Sequence, residues 1–545
     1  MDMDILKEYD VVVVGGGITG AGTARDCAMR GLKVLLVEKY DLTNGATGRN
    51  HGLLHSGARY AVTDPESASE CIKENMILRK IARHCVDETD GLFITLPEDD
   101  LSYQSTFVAA CRKAGVRADV ISPEEARRLE PAVNPSLVGA VRVPDASVDP
   151  FRLTTANVID ARRHGADMLT YHEAVGFVVE SGRVRGVRLR DNHTGDTFEV
   201  RSRMVVNAAG IWGHLVARLA GVTVNMFPAK GTLLVFGHRV NGMVVNRCRR
   251  PANADILVPD DTVCVIGTTS DRVPFDTIDH LKATPEEVDV LLREGEKLAP
   301  ALAKTRILRA YAGVRPLVAA DNDPSGRSIS RGIVLLDHEM RDGLAGLITI
   351  TGGKMMTYRM MAQVATDLVC RKLGVDKPCL TAVTPLPGSE KPVAAGHTSR
   401  RATEYSTRAQ EGRHGTMTRS IDAGSVETRA LVCECEDVTV GEVKFAVDKL
   451  HVRNLINLRR RTRMGMGTCQ GELCACRGAN VLCQVARTEP RAAEHDLAAF
   501  MAERWKGARP VAWGDTLGEA QLTATIYEGL CGLNRLCGDD KKIAL

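Results

Sequence analysis

The segment that most limits what this chain can fold into is Gly15-Gly16-Gly17-Ile18-Thr19-Gly20, set between four consecutive valines and an alanine-rich stretch. The valine run (11–14) shows no polar alternation, the pattern of a parallel strand buried on both faces. Gly15, Gly17 and Gly20 have the spacing G-x-G-x-x-G. The first permits a tight turn, the second lets a pyrophosphate approach the backbone, and the third lets the next helix pack closely on its strand. A helix over 20–30 would aim its N-terminal amides and dipole at the phosphates. Gly31 ends it, a second apolar strand follows, and Glu38 closes that strand where a ribose hydroxyl needs an acceptor. Strand, glycine turn, helix, strand and terminal acid in that order predict a dinucleotide site.

At 545 residues the chain exceeds what one core can organise and should hold two to four domains. The balance of 71 Lys and Arg against 68 Asp and Glu, net +3, gives no reason to expect a nucleic-acid partner. The acidic N-terminus lacks the apolar core of a secretory signal, and no run is long and apolar enough to span a bilayer. Any membrane association should therefore be peripheral or through partners. Sixteen cysteines without such a signal point to a reducing compartment, where clustered thiols hold metals more often than they form disulfides.

Beyond Glu38, residues 41–60 are rich in glycine and small polar residues, with His51, His55 and Arg59, and follow neither the helical nor the strand period. Thr47 lies in this stretch. Chain with little bulk and many free amides suits wrapping a flat, polyanionic cofactor or its substrate. A helix is expected over 66–84, another begins at Ser122-Pro123, and residues 175–205 alternate as hairpins turning at Gly182 and Gly195. A short apolar strand then runs into Asn207-Ala208-Ala209-Gly210, small enough to lie against a flat ligand. A β-rich region from Phe227 to Thr269 follows. Leu347-Ile-Thr-Ile-Thr-Gly352-Gly353-Lys354 closes this half with a second strand, glycine pair and helix.

His55-Ser-Gly-Ala-Arg59-Tyr60, Asn207-Ala-Ala-Gly210, Ile266-Gly-Thr-Thr, Gly313-Val-Arg315-Pro-Leu and Gly352-Gly-Lys354-Met-Met-Thr-Tyr358, with the glycine fingerprint, resemble the FAD-dependent glycerol-3-phosphate dehydrogenases over residues 8–385. The resemblance implies an α/β fold: a doubly wound FAD domain interleaved with a substrate domain on an antiparallel sheet. It implies FAD contacts from Gly15, Gly17, Gly20, Glu38, Thr47, Ala209, Gly210, Gly352 and Gly353. It also implies a pocket for sn-glycerol 3-phosphate lined by Arg59, Tyr60, Arg315, Arg331 and Lys354. Single-subunit members carry a histidine after their Lys-Gly-Ser/Thr stretch, where this chain has Leu233. The chemistry supports the cations independently. A dianionic phosphate leaving water needs charge-assisted donors, preferably forked guanidiniums. A fixed cation, Lys354 or Arg315, favours the alkoxide that develops as hydride leaves, and His55 or a water takes the proton.

Residues 386–428 turn polar and poor in large apolar side chains, as a linker would. Six of the sixteen cysteines then fall between 433 and 483. The pairs Cys433-x-Cys435 and Cys469-x-x-x-x-Cys474 can set four thiolates about one centre, and their spacing leaves zinc and an iron–sulfur cluster both open. Residues 430–485 resemble the [2Fe-2S] domain of bacterioferritin-associated ferredoxin, which implies Cys433, Cys435, Cys469 and Cys474 as ligands in a small, mainly helical domain (429–486), with Cys476 spare. The basic run 459–463 reads equally as a solvated face or as charge that tempers the cluster or meets a partner. Residues 487–545 read as a helical segment.

The two signals in one chain resemble the catalytic subunits of anaerobic glycerol-3-phosphate dehydrogenases. That likeness implies two partner subunits, a flavoprotein and a membrane-associated iron–sulfur protein, at the cytoplasmic face of the inner membrane, with quinone as final acceptor. It leaves open whether FMN binds this chain or a partner. An amine or amino-acid oxidase of the same fold would need one arginine for its carboxylate, whereas a phosphate needs several converging cations.

Overall fold

The computed structural model describes residues 8–318, 332–391 and 402–533. The valine run lies in β1 (Glu8–Val14), fully buried from Val11 onward, and pairs in parallel with β2 (Val34–Glu38). Between them α1 (Ile18–Met29) begins two residues earlier than its glycine spacing suggests, with Gly17 as a cap that supplies no side chain. Helix Pro65–Ile81 is capped by Asp64, helix Pro123–Leu129 by Ser122, and the hairpins turn at Gly182 and Gly195, both with positive φ.

The first sheet has eight strands. Its parallel core runs Asp167–Thr170, β2, β1, Thr197–Asn207 and Leu347–Gly352. Strand Ile333–Asp337 pairs antiparallel with Leu347–Gly352, and the hairpin of His172–Glu180 with Arg183–Asp191 pairs with the first half of Thr197–Asn207, on the side away from β1. Helix α1 presents Ala21, Ala24, Cys27 and Ala28 to Val11, Val13, Val206 and Ile348. Small residues are required there: a Cβ on Gly22 would stand 2.8 Å from the Tyr358 ring of the flanking helix Tyr358–Leu373. Buried charges in this layer are paired, Arg25 to Asp160 at 2.7 Å and Arg359 to Glu74 through two bonds.

A second, nine-stranded and mainly antiparallel sheet is built on Met226–Phe236, which runs beside Ile307–Val318 over their full length and pairs with Cys264–Gly267. Its strands come from residues 91–318, so the two sheets alternate along the chain. The result is a mixed α/β oxidoreductase fold with a helical C-terminal region.

That region departs from expectation at its start. The stretch expected as a linker forms helix Ala402–His414 and a 3-10 turn, Gly415–Ser420. Apolar content did not reveal it, because it is held by charge. Arg413 donates two bonds of 2.7 Å to the fully buried Glu442, and His414 Nε2 donates a third at 2.8 Å. The cluster of buried residues here joins Val432, Val443, Leu458 and Leu482 to Leu497, Phe500, Met501 and Tyr527, so the last helices (Pro490–Ala508, Gly514–Thr525) share one core with the cysteine segment. Burial raises the Glu442 carboxyl, but Arg413 and His414 outweigh it and hold the group at about 2. Glu442→Gln leaves Arg413 buried beside a neutral amide, and we expect a loss of about 3–5 kcal/mol in unfolding of this region. Because the folded value lies below the unfolded one, the stabilisation is complete above about pH 4.5 and is lost toward pH 2. Denaturant titrations of wild type and variant should therefore converge across that window.

Candidate active site

Val14, Asn207 and Thr349 stand in register at the carboxyl edge of the first sheet. The loops leaving that edge carry Gly15, Ala208-Ala209-Gly210 and Gly352-Gly353, so three segments remote in sequence, each expected to touch the cofactor, meet at one rim, where open α/β sheets bind their ligands. A Cβ on Gly15 would lie 2.6 Å from the Ala208 carbonyl, and one on Gly20 only 1.8 Å from the Gly15 carbonyl. Gly15, Gly210, Gly352 and Gly353 all have positive φ. Thr47 Oγ1 accepts from the Ile18 amide at 3.1 Å, tying the loop to the first turn of α1. Glu38 accepts from the Gly16 and Tyr40 amides at 2.7 and 2.9 Å. Each carboxylate oxygen thereby keeps a lone pair for a hydroxyl. Glycine backbone, an uncapped helix start and a ribose acceptor fit FAD.

The loop that braces α1 also reaches the second sheet. Tyr311 OH donates to the Asn50 carbonyl at 2.8 Å, and Gly313 leaves room for the Arg49 carbonyl, which a Cβ there would approach to 2.5 Å. On the same face of strand Ile307–Val318, the Arg315 guanidinium is collared by Thr268 Oγ1, the Thr269 carbonyl (3.0 Å) and Ser270 Oγ (3.2 Å). Farther along the loop, His55 sets its ring edge-on to Tyr60 at 5.3 Å, and Lys354 Nζ stands 4.6 Å over the Tyr60 ring. His55, Tyr60 and Lys354 thus form one group, with Arg315 joined to it through residues 267–268 and His51. Arg59 binds Asp255 at 3.0 Å through Nη2, while its Nη1 is buried without a hydrogen-bond partner among the described residues. Arg331 lies outside the described residues.

Leu233 is buried against Gly267, whose other neighbour is His51. His51 thus stands close to the side chain that replaces the family's histidine. Sequence reasoning also missed the collar about Arg315 and the buried pair Lys230–Glu287 (2.7 Å) beside it. The Gly-Thr-Thr stretch was the only signal for either.

In the C-terminal region Cys474 neighbours both Cys433 and Cys469; their interaction lowers those two thiols, Cys469 to about 5, and raises Cys474. Cys435 meets Cys469 and Thr468. Backbone amides of Gly465 and Glu436 point at Cys433, and those of Gly471 and Leu473 at Cys469. Among the described residues no three His, Cys, Asp or Glu side chains are arranged about one metal ion. Four thiols linked in a chain and ringed by amides fit the donor set of a sulfide-bridged cluster, whose charge amide donors offset. Gly465 and Gly471 leave space for Phe500, and Tyr527 OH donates to the Glu472 carbonyl at 2.6 Å, so the last helices cover the thiol loop. A chamber of about 1790 Å³ is lined by Arg49 and Tyr311 and, from the cysteine region, by Met466 and Gln470.

Fold and sites together define a flavin-dependent oxidoreductase with an appended iron–sulfur module. Residues 10–359 match the FAD dependent oxidoreductase family, and residues 431–482 match the BFD-like [2Fe-2S] binding domain. The chain is 60% identical to the A subunit of the anaerobic glycerol-3-phosphate dehydrogenase of Escherichia coli (strain K12), across 97% of this chain and 98% of that one. It is 58% identical to the corresponding A subunit of Haemophilus influenzae, across 96% and 93%. The glycerol-3-phosphate dehydrogenase from Bacillus halodurans complexed with FAD shares the fold, with a TM-score of 0.72 at 22% identity over 93% of this chain and 97% of that one. The chain belongs to the family of anaerobic glycerol-3-phosphate dehydrogenase A subunits.

Two substitutions check the sites separately. Gly20→Ala forces the cradle open at the Gly15 carbonyl, and flavin affinity should fall at least about tenfold, a loss of about 1.4 kcal/mol, by absorbance titration. Cys469→Ser should abolish the paramagnetic signal of the reduced cluster while leaving flavin content unchanged.

Proposed function

We propose that this chain is a catalytic subunit that oxidises sn-glycerol 3-phosphate to dihydroxyacetone phosphate. The observation that carries this reading is that the loop bracing the nucleotide helix meets a turn-borne lysine, Lys354, at Tyr60 and meets the strand that bears Arg315 at Tyr311 and Gly313. When bound, FAD supplies the hydride acceptor and the [2Fe-2S] cluster a one-electron acceptor. The work of the protein's own residues is electrostatic. Arg315 and Arg59, with Arg331, offer charge-assisted donors to a phosphate that has lost its hydration. Lys354, oriented over Tyr60, stabilises negative charge growing on the secondary hydroxyl oxygen. His55, buried at 6% exposure beside Tyr60, takes the hydroxyl proton.

The wider setting rests on the A-subunit family. The chain would hand its electrons to two partner subunits, a flavoprotein and a membrane-associated iron–sulfur protein, and so to a quinone, at the cytoplasmic face of the inner membrane. That agrees with the described residues, none of whose helices is long and apolar enough to cross a membrane.

The test is anaerobic bleaching of the flavin by glycerol 3-phosphate. Lys354→Ala or Arg315→Ala should cut kcat/KM about 10- to 100-fold, the ~1.5–3 kcal/mol of a charged hydrogen bond, with flavin content intact. Unchanged kcat/KM in both variants would refute the pocket.

A further inference from the structure

The basic run 459–463 is not a solvated face. Arg461 and Arg463 are buried, and with Arg460 they reach out of the cysteine region into the rest of the molecule. Arg461 grips Asp41 through both oxygens, Nη2 to Oδ1 at 2.6 Å and Nη1 to Oδ2 at 3.2 Å, while its Nε holds the Leu450 carbonyl. Arg460 adds bonds to Asp41 (3.2 Å) and Asn44 Oδ1 (2.9 Å). Asp41 stands three residues past Glu38 and six before Thr47, in the loop that leaves the ribose acceptor and returns to brace α1. Just past the same end of this short helix (Leu455–Thr462), Arg463 binds Glu436 at 3.0 Å, the residue after Cys435, and Asp260 Oδ1 at 3.2 Å in the substrate domain. One arginine helix therefore links the nucleotide loop to the thiol loop by buried, forked contacts. Such pairs add little net stability, but breaking one leaves an uncompensated buried charge, so they fix geometry.

We propose that Arg461, through Asp41 and with Arg460 and Arg463 beside it, is the positioning residue that holds the cluster domain at electron-transfer distance from the flavin cradle. The step it serves passes one electron from reduced flavin to the oxidised [2Fe-2S] cluster. No bond is made or broken, and the arginine carries neither electron nor proton. The inference rests on the dehydrogenase reading only for the choice of substrate.

The experiment uses the full-length holoprotein and variants Arg461→Gln and Arg461→Lys. Flavin is reduced either by glycerol 3-phosphate or photochemically with a sacrificial amine donor, and cluster reduction is followed by freeze-quench electron paramagnetic resonance. Flavin reduction should stay within about twofold of wild type. Cluster reduction should slow at least about tenfold in Arg461→Gln, and less in Arg461→Lys, which keeps the charge but loses the fork. Independently of turnover, hydrogen exchange in helix Leu455–Thr462 and at residues 41–44 should quicken about tenfold in Arg461→Gln, while Glu8–Val14 and Val440–Lys449 hold their protection. Unchanged exchange, or quickened exchange with an unchanged rate of cluster reduction, would overturn the proposal. If Arg461→Gln does not fold, the same readouts on Arg461→Lys decide it. If photoreduction drives the cluster in wild type but glycerol 3-phosphate does not, the substrate reading fails and this one stands.

Discussion

Everything in this molecule depends on a contact that only glycine permits: the first turn of α1 lying on the Gly15 carbonyl, where a Cβ on Gly20 would stand 1.8 Å away. That approach draws the helix onto its strand and turns its first amides toward the sheet edge. It also fixes where Thr47 must sit to accept from the Ile18 amide, and hence the path of residues 41–60. The loop thus becomes the common border of three regions. Its start is held by the C-terminal arginines, its middle touches the second sheet through Arg49 and Asn50, and its end presents His55 and Tyr60 to Lys354.

The distribution of buried charge follows from that arrangement. Inside the nucleotide domain, Arg25 is matched by Asp160, Arg359 by Glu74, and Arg30 by Asp26 and Asp367. Between regions they form shared nodes. Arg463 meets Glu436, Asp149, Asp260 and Asp261 and is raised well above its ordinary range despite burial; Asp41 is shared by Arg460 and Arg461. An apolar interface would tolerate sliding, whereas buried forked pairs admit one register. A chain that must hold two redox groups at constant separation gains from that.

Much of this was legible in the residues. The glycine fingerprint, the valine strand and the terminal Glu38 carried the nucleotide half, because local backbone demands are written directly as residue types. Small-residue segments such as Asn207-Ala-Ala-Gly210 and Gly352-Gly353 were readable for the same reason, and the cysteine pairs located the second site. What could not be read was long-range pairing of charge. Nothing in the sequence near Asp41 announces partners 420 residues away, and the polar stretch before residue 428 lacked apolar periodicity because Arg413 and His414 anchor it on Glu442. Arg59 shows the same limit: its motif marked it for the substrate, yet half of its fork is taken by Asp255.

The collar on Arg315 bears on why the substrate domain is a sheet. A guanidinium aimed at a phosphate must be rigid before the ligand arrives, or binding energy is consumed in ordering it. On the proposed reading, Arg315 achieves this across strands. Gly231, opposite Gly313, leaves the space its fork occupies, since a Cβ there would stand 2.6 Å from Nη2. Thr268, Thr269 and Ser270 then close on it from the adjoining loop. These partners are neutral hydroxyl and carbonyl oxygens, so they orient the cation without cancelling its charge. Lys230, one residue before Gly231, is by contrast neutralised by Glu287. The collar thus fixes the direction of the Arg315 fork in advance, as a preorganised site requires.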